Sequence, residues 1–194
     1  MSLVENFRVY RSKKLDKIGQ ALVKAGIKAN HLTLLSLCSG ITSIFFLFSQ
    51  YYLFVLFALL HLIFDGLDGV VARLTKPTIS GKYFDLISDS SVTFLVLLKT
   101  SWHLQEFYAY LAAGLFLLAL SVHLTSKLRT PMFFMRTASV IVLLIATSPL
   151  SLFITLFPFA KMLLTAGYLT AGGVSLFSLA RQLQWYVNKK IIIT

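Results

Sequence analysis

The sequence has 194 residues, of which 57% are hydrophobic and 13% are charged, and its mean hydropathy is +0.81. A soluble globular domain is excluded, because such domains carry about 25% charged residues. The net charge of +11 does not indicate nucleic-acid binding, because the basic residues lie at the ends of apolar segments, as in membrane proteins. A single cysteine, Cys38, leaves neither a disulfide framework nor a cysteine metal site.

The first element along the chain is a basic amphipathic segment. Residues 1–28 contain no continuous apolar run, so we do not expect a cleavable signal peptide. Within residues 3–27, apolar side chains alternate with six lysines and arginines. This pattern is too polar to span a bilayer, and it predicts an interfacial helix lying on an anionic leaflet.

Six apolar segments follow, at about residues 31–50, 52–74, 82–101, 107–125, 136–156 and 159–187. Each is close to the roughly 20 residues that a helix needs to cross a bilayer. The predicted fold is therefore all-α, with residues 1–194 forming one domain: the interfacial helix over 1–28 and a six-helix membrane bundle over 31–187. Placing the N-terminus in the cytosol puts sixteen lysines and arginines on that side and two, Lys99 and Lys161, outside. Both termini are thus predicted to be cytosolic.

Four of the seven acidic residues lie between positions 65 and 89, at the ends of two apolar segments. Asp65 and Asp68 are three residues apart, and Asp85 and Asp89 are four apart, so each pair shares one helix face. Residues 74–80 predict a turn, which makes the two helices antiparallel neighbours with both pairs near the cytosolic side. Ion pairs with Arg73, Lys76 and Lys82 are one explanation, but three cations at the membrane surface do not easily satisfy four carboxylates one or two turns deeper. Such carboxylates repel one another unless cations intervene, and oxygen donors favour Mg²⁺ or Mn²⁺ over zinc. Two divalent ions would balance four charges.

Small residues accompany these carboxylates. Gly69 and Gly81 carry no side chain beside them, and Ala72 lies one turn after Asp68. Arg73 lies four residues after Gly69 and can offer a planar fork to phosphate oxygens. The pattern favours a site for a metal-bound diphosphate, although glycines in membrane helices also serve as packing positions.

The segment from Asp65 to Asp89 reads D-x-x-D-G-x-x-A-R, seven residues, then G-x-x-x-D-x-x-x-D. It resembles the signature of CDP-alcohol phosphatidyltransferases, and all eight signature positions are filled. The basic interfacial helix, the six spans and the Asn-x-Leu-Thr sequence at 30–33 are also similar to that family. Two departures concern the subfamily: Ala29 stands where the family often has proline, and two serines follow Asp89.

The resemblance implies an enzyme of phospholipid biosynthesis. It would transfer a phosphatidyl-type group from a CDP-linked lipid, either CDP-diacylglycerol or an archaeal equivalent, to an alcohol and release CMP. By the same resemblance, Asp65, Asp68 and Asp85 hold a two-metal centre, while Asp89 contributes to it and acts as the general base. The implied partners are the CDP-linked lipid, the alcohol, membrane lipids and a second copy of the chain in a homodimer, but no nucleic acid.

The resemblance also assigns a binding site for the CDP-linked lipid. Its residues would be Asn30, Asp65, Gly69, Ala72, Arg73 and Gly81. Asn30 has an alternative role, because a polar residue at the start of a helix is also a typical cap. His61, one turn before Asp65, is either a partner of the carboxylates or a packed, hydrogen-bonded histidine.

Four basic residues bear on the identity of the acceptor: Lys127, Arg129, Arg136 and Arg181. All lie at predicted cytosolic ends of the later spans. An anionic acceptor such as inositol phosphate or glycerol-3-phosphate would explain them, and Arg136 and Arg181 resemble the phosphate-binding residues of family members that use such acceptors. They are equally explained as positive-inside anchors. The acceptor would then be serine or another neutral alcohol.

Two other classes also place carboxylates in membrane helices. A divalent-cation transporter would use them as an ion pathway, but its acids are expected near the midplane and its sequence commonly has an inverted repeat. A membrane prenyltransferase would need two aspartate-rich motifs far apart in a longer chain. The single compact motif at one end of two spans favours the transferase interpretation.

Overall fold

The computed structural model describes residues 15–76, 78–133 and 157–193, together with 143, 146 and 147. Within these ranges the secondary structure is helical and contains no strand, which confirms the all-α prediction. The helices are α1 (15–24), α2 (Ala29–Phe46), α3 (Tyr51–Thr75), α4 (Ile79–Leu104), α5 (Phe107–Thr125) and α6 (Phe157–Ile193).

Four of the described helices are long and apolar enough to cross a bilayer: α2, α3, α5 and Ala160–Asn188 of α6. They coincide with four of the predicted spans and support an integral membrane protein. Helix α4 covers the predicted span 82–101 but is not among them, because charged residues interrupt its apolar sequence. The predicted span 136–156 lies almost entirely outside the described residues, as does the first half of the predicted interfacial helix.

The chain forms two compact units. The first comprises Met1–Phe46 and Tyr52–Asp89, and its described part contains α1, α2, nearly all of α3 and the start of α4. The second comprises Leu47–Tyr51 and Ser90–Thr194, and it contains the rest of α4 together with α5 and α6.

In the first unit, α2 and α3 run antiparallel and are joined by buried polar contacts. Thr33 Oγ1 lies 2.7 Å from Asp68 Oδ2. One turn later in α2, Ser36 Oγ lies 2.8 Å from His61 Nδ1. Because the partners move back along α3 as the chain advances along α2, these contacts fix both the direction and the register of the pair.

Helix α1 packs against the end of α3. A Cβ atom at Gly19 would lie 2.7 Å from Val70 Cγ1 and 2.8 Å from Leu74 Cδ1, so this close approach requires glycine. Gly26, at φ +77°, then ends the helix in a Schellman motif and turns the chain toward α2. One face of α1 is therefore occupied by protein, and contact of its basic residues with a leaflet stays a prediction.

In the second unit, α5 and α6 run parallel. The Tyr168 hydroxyl donates to Glu106 before the start of α5, and Gln182 Nε2 donates to the carbonyl of Ala119 near its end. Between these contacts the helices approach closely through small residues, since a Cβ at Gly172 would lie 3.4 Å from Cβ of Ala112. This seam forms the core of the unit.

Candidate active site

Three helix ends meet at one end of the first unit. The start of α2, the end of α3 and the start of α4 enclose a cavity of about 520 Å³. Its lining includes two of the signature carboxylates, Asp68 and Asp85. The other predicted residues that line it are Asn30, Gly69, Ala72 and Gly81. Five of the eight signature residues, Asp68, Gly69, Ala72, Gly81 and Asp85, thus line a cavity large enough for part of a ligand.

A cluster of three carboxylates, formed by Asp65, Asp68 and Asp85, lies at this end of the unit. One oxygen of each lies within 4.8 Å of an oxygen of the other two. At that separation each ionised pair repels by roughly 3 kcal/mol at an effective dielectric constant of about 20. Three oxygen donors at this spacing suit a hard divalent cation, which would remove the repulsion. The donor set therefore fits Mg²⁺ or Mn²⁺.

Asp68 is the most enclosed member of this carboxylate cluster. Its side chain is 5% exposed, whereas Asp65 and Asp85 are partly exposed. Its Oδ2 accepts a hydrogen bond from the Thr33 hydroxyl of α2. Sequence reasoning missed Thr33 as a site residue, although it ends the Asn-x-Leu-Thr sequence that had been singled out as similar to the family.

Asp89 lies one turn after Asp85 on α4, in the same unit, and is partly exposed. It is not a member of the three-carboxylate cluster. Its spacing of four residues from Asp85 keeps both side chains on the same face of α4. The assignments of Asp89 as general base and as a further metal ligand stay predictions.

The two signature glycines differ in their surroundings. A Cβ at Gly81 would lie 2.9 Å from Thr78 Oγ1 and 3.3 Å from Asn30 Oδ1. Thr78 caps α4, since its Oγ1 accepts the Gly81 amide at 3.0 Å. Gly81 thus makes room for a helix cap and for Asn30. At Gly69, by contrast, the one contact that a Cβ would make with the described part of the chain is to Arg73 Nη1, at 3.7 Å, and Gly69 lines the cavity.

Three lysines that sequence reasoning did not assign to the site also line the cavity: Lys28, Lys76 and Lys82. They lie in the connection before α2, the connection after α3 and the first turn of α4. Their signal in the sequence was hidden, because lysines at the ends of apolar segments also satisfy the positive-inside rule. Arg73 is exposed, with its guanidinium beside Gly69, and does not belong to the cavity lining.

The predicted acceptor residues lie elsewhere in the chain. Lys127, Arg129 and Arg181 belong to the second unit and are exposed. Lys127 has φ +57° and lies two residues after the end of α5, and Arg181 donates from Nη1 to Gln184 Oε1 at 2.9 Å. Arg136 lies outside the described residues. The contribution of these four residues to acceptor binding stays a prediction.

Comparison with known proteins identifies the family. The model of the CDP-alcohol phosphatidyltransferase family matches residues 27–174. This region contains the complete signature and most of the described helices. Searches of curated proteins and of solved structures found no match to the chain. Because the family model covers well over half of the sequence, the chain belongs to the CDP-alcohol phosphatidyltransferase family.

Proposed function

We propose that this protein transfers a phosphatidyl-type group from a CDP-linked lipid to an alcohol, with release of CMP. The observation that carries the proposal is the carboxylate cluster of Asp65, Asp68 and Asp85, with oxygens within 4.8 Å of one another beside a cavity of about 520 Å³. Ionised carboxylates this close repel one another, and Asp68 is buried, so a bound cation would lower the free-energy cost of the arrangement. Family membership supplies the reaction class.

The metal dependence follows from the chemistry of the donors. The three clustered carboxylates, with Asp89 as a further ligand on the next turn, would hold Mg²⁺ or Mn²⁺, and two such ions would balance four negative charges. Divalent ions bound here would neutralise the diphosphate of the donor lipid and stabilise the charge that develops during an in-line displacement.

The donor diphosphate also has protein partners in this cavity. The first residues of α2 and α4 line it, and the starts of helices attract anions through the partial positive charge of the helix dipole. The ammonium groups of Lys28, Lys76 and Lys82 add positive charge around the lining. Gly69 leaves the space that a nucleotide would occupy against α3. Together these features support CDP binding in the first unit.

Asp89 is proposed to accept the proton of the acceptor hydroxyl. The hydroxyl oxygen attacks the phosphorus that carries the lipid, and the bond from that phosphorus to the bridging oxygen of CMP breaks. CMP leaves with that oxygen, and the hydroxyl proton remains on the Asp89 carboxyl. Its position one turn from Asp85 supports this role, because general-base catalysis requires the carboxylate near the reacting hydroxyl.

The acceptor is proposed to be a phosphorylated polyol, either inositol phosphate or glycerol-3-phosphate. The positive charge of Lys127, Arg129, Arg136 and Arg181 supports an anionic acceptor. Serine or another neutral alcohol is the alternative, in which case these residues anchor the helices at the membrane surface. A homodimer with both termini and the active site on the cytosolic side completes the proposal.

The test is CMP release by the purified protein from CDP-diacylglycerol. Reactions would contain Mg²⁺, Mn²⁺ or EDTA, with glycerol-3-phosphate, inositol phosphate, inositol or serine offered separately. Metal-dependent CMP release with one acceptor supports the proposal and identifies the acceptor. If the protein transports Mn²⁺ into proteoliposomes and releases no CMP from either diacyl or ether CDP-lipids, the transferase proposal is overturned in favour of the transporter.

Asparagine variants of the three clustered aspartates provide the first mutational prediction. Asp65→Asn, Asp68→Asn and Asp85→Asn should each lower CMP release by at least about 100-fold, because a metal-bound oxygen contributes several kcal/mol to the transition state. Asp16→Asn in α1, outside the cluster, is the matched control and should retain activity. Full activity in any of the three cluster variants contradicts the assignment of that residue.

A further inference from the structure

We infer that Thr33 is a positioning residue, whose hydroxyl orients the Asp68 carboxylate for cation binding. The inference rests on the proposed metal centre and adds a residue of α2 that the signature motif does not contain. Thr33 and Asp68 are separated by 35 positions in the sequence, so their contact exists only because α2 packs against α3.

The Thr33 hydroxyl has one proton and two neighbouring acceptors. Its Oγ1 lies 2.7 Å from Asp68 Oδ2 and 3.2 Å from the carbonyl oxygen of Ala29. The shorter contact is to the carboxylate, and hydrogen bonds to ionised acceptors are roughly twice as strong as neutral ones. The proton therefore belongs to the bond with Asp68.

Both side chains of this pair are buried. Thr33 is 4% exposed and Asp68 is 5% exposed, so water does not compete strongly for the carboxylate oxygen. One turn along α2, the hydroxyl of Ser36 lies against the ring and the carbonyl of His61, at 2.8 and 3.0 Å. This second contact holds α2 in register against α3. Thr33 thus approaches Asp68 from a fixed position on a packed helix.

The consequence for cation binding is geometric. The Thr33 hydroxyl occupies one lone-pair direction of Oδ2, which restricts the rotation of the carboxylate and leaves other lone pairs for a cation shared with Asp65 and Asp85. Without that bond, the carboxylate can rotate and its buried oxygen loses a donor. Hydrogen-bond partners of this kind typically contribute about 10–100-fold to metal affinity.

The experiment compares Thr33→Val, which keeps the shape and removes the hydroxyl, with Thr33→Ser, which keeps the hydroxyl. Mn²⁺ binding is measured without substrate, from the electron paramagnetic resonance signal of free Mn²⁺, on protein in nanodiscs. The Mn²⁺ concentration for half-maximal CMP release gives a second readout. Thr42→Val is the matched control, because the Thr42 hydroxyl on the same helix donates to the Cys38 carbonyl at an exposed position.

We expect Thr33→Val to weaken Mn²⁺ binding by about 10–100-fold, with CMP release recovering at high Mn²⁺. Thr33→Ser and Thr42→Val should bind like the wild type. Equal Mn²⁺ affinity of Thr33→Val and wild type overturns the role of Thr33 and leaves the metal centre intact. An equal loss of Mn²⁺ affinity in Thr33→Val and Thr33→Ser also overturns the role of Thr33, because the serine variant keeps the hydroxyl. Absence of Mn²⁺ binding in the wild type overturns the proposed metal centre itself.

Discussion

At the scale of single residues, the two signature glycines serve different purposes. Gly81 is required by the protein itself, because a Cβ there would collide with the capping hydroxyl of Thr78. Gly69 has no such constraint from the described residues, since among them its Cβ position meets the flexible end of Arg73 alone, at 3.7 Å. Because both residues are glycine, the sequence alone does not distinguish their roles. The structure explains Gly81 by a helix cap, whereas Gly69 lines the cavity and its role in ligand binding stays a prediction.

Gly69→Ala therefore provides a test of the ligand site that spares the fold. The variant should be at least as stable as the wild type, because alanine favours a helix by about 0.5–1 kcal/mol over glycine. Its kcat/KM for the CDP-linked lipid should fall by about tenfold or more, since the new methyl group enters the cavity. Thermal unfolding in detergent and CMP release measure the two effects.

Gly66→Ala is the control for this prediction. Gly66 lies on the same helix, one turn away, and a Cβ there meets no atom of the described residues within 4 Å. It is exposed and does not belong to the cavity lining. Unchanged turnover in Gly66→Ala with reduced turnover in Gly69→Ala supports the ligand site. If both variants turn over normally, the nucleotide does not bind beside Gly69.

Three of the four aspartates that were predicted to form one site cluster in the structure, and this clustering could be predicted because chemistry and helical spacing limited the choice. Ionisable groups are costly in apolar segments, so four aspartates in 25 positions already indicated one site. Thr33 and the three cavity lysines were not identified, because threonine and lysine occur at helix ends for many reasons. Only the packing of α2 against α3 distinguishes Thr33 from its neighbours.

At the scale of helices, the ends were harder to predict than the helices themselves. Four connections in the described part of the chain contain non-glycine residues with positive φ: Phe48, Lys76, Gln105, and Lys127 with Leu128, at +69°, +69°, +54°, +57° and +60°. Helices commonly end on such a residue, but glycine is the usual choice and the usual signal. The predicted first span accordingly ran to residue 50, whereas α2 ends at Phe46.

The connection after α5 depends on Gln182 of α6. This side chain is 1% exposed, and its Nε2 donates to the carbonyls of Ala119 and Pro131 at 3.1 and 3.2 Å. Gln182→Met keeps the volume and leaves two carbonyls without this donor, each at a cost of about 1–3 kcal/mol where buried. We expect a lower melting temperature and faster trypsin cleavage after Lys127 and Arg129.

Gln105→Met is the matched control for that substitution. The Gln105 amide also donates to a backbone carbonyl, that of Trp102 at 2.6 Å, but at an exposed position. Water replaces this bond, so the melting temperature and the cleavage rate should stay near those of the wild type. Equal behaviour of the two variants would show that Gln182 does not hold the connection.

The start of α5 is joined to α6 by a pH-sensitive contact. The Tyr168 hydroxyl donates to Glu106, and Lys161 lies 3.5 Å from the same carboxylate. The hydrogen bond from Tyr168, followed by the charge of Lys161, holds the pKa of Glu106 below its ordinary value of 4.5 despite some desolvation. A lowered pKa stabilises the folded state above pH 4.5, and this stabilisation is lost as the pH falls through the pKa of the folded state.

Glu106→Gln should consequently melt at a lower temperature than the wild type at pH 7. As the pH falls below 4.5, the two melting temperatures should converge, because protonation removes the same charge from the wild type. Tyr168→Phe should also reduce the difference between the melting temperatures at neutral and acidic pH. A constant difference between Glu106→Gln and wild type from pH 7 to pH 3 would contradict the role of the charge.

At the scale of the whole molecule, the parallel run of α5 and α6 bears on the number of spans. Two parallel membrane helices agree with one predicted crossing between them, which is the span at 136–156. Helix α4 carries Lys82, Asp85, Asp89 and Lys99 along its 26 residues, so hydropathy alone does not identify it as a span. The six-span arrangement therefore stays a prediction. The helix in question, α4, carries two of the four signature aspartates, Asp85 and Asp89.

Orientation in the membrane can be tested with single cysteines in a Cys38→Ser background. Gln105 and Lys127 lie in the connections at the two ends of α5, and both are exposed. The excess of basic residues predicts that the connection with Gln105 is outside and the connection with Lys127 is cytosolic. In intact cells, a membrane-impermeant maleimide should label Gln105→Cys, and it should label Lys127→Cys only after permeabilisation. Labelling in the reverse order would place the carboxylate cluster outside the cytosol, and labelling of both from outside would contradict α5 as a span.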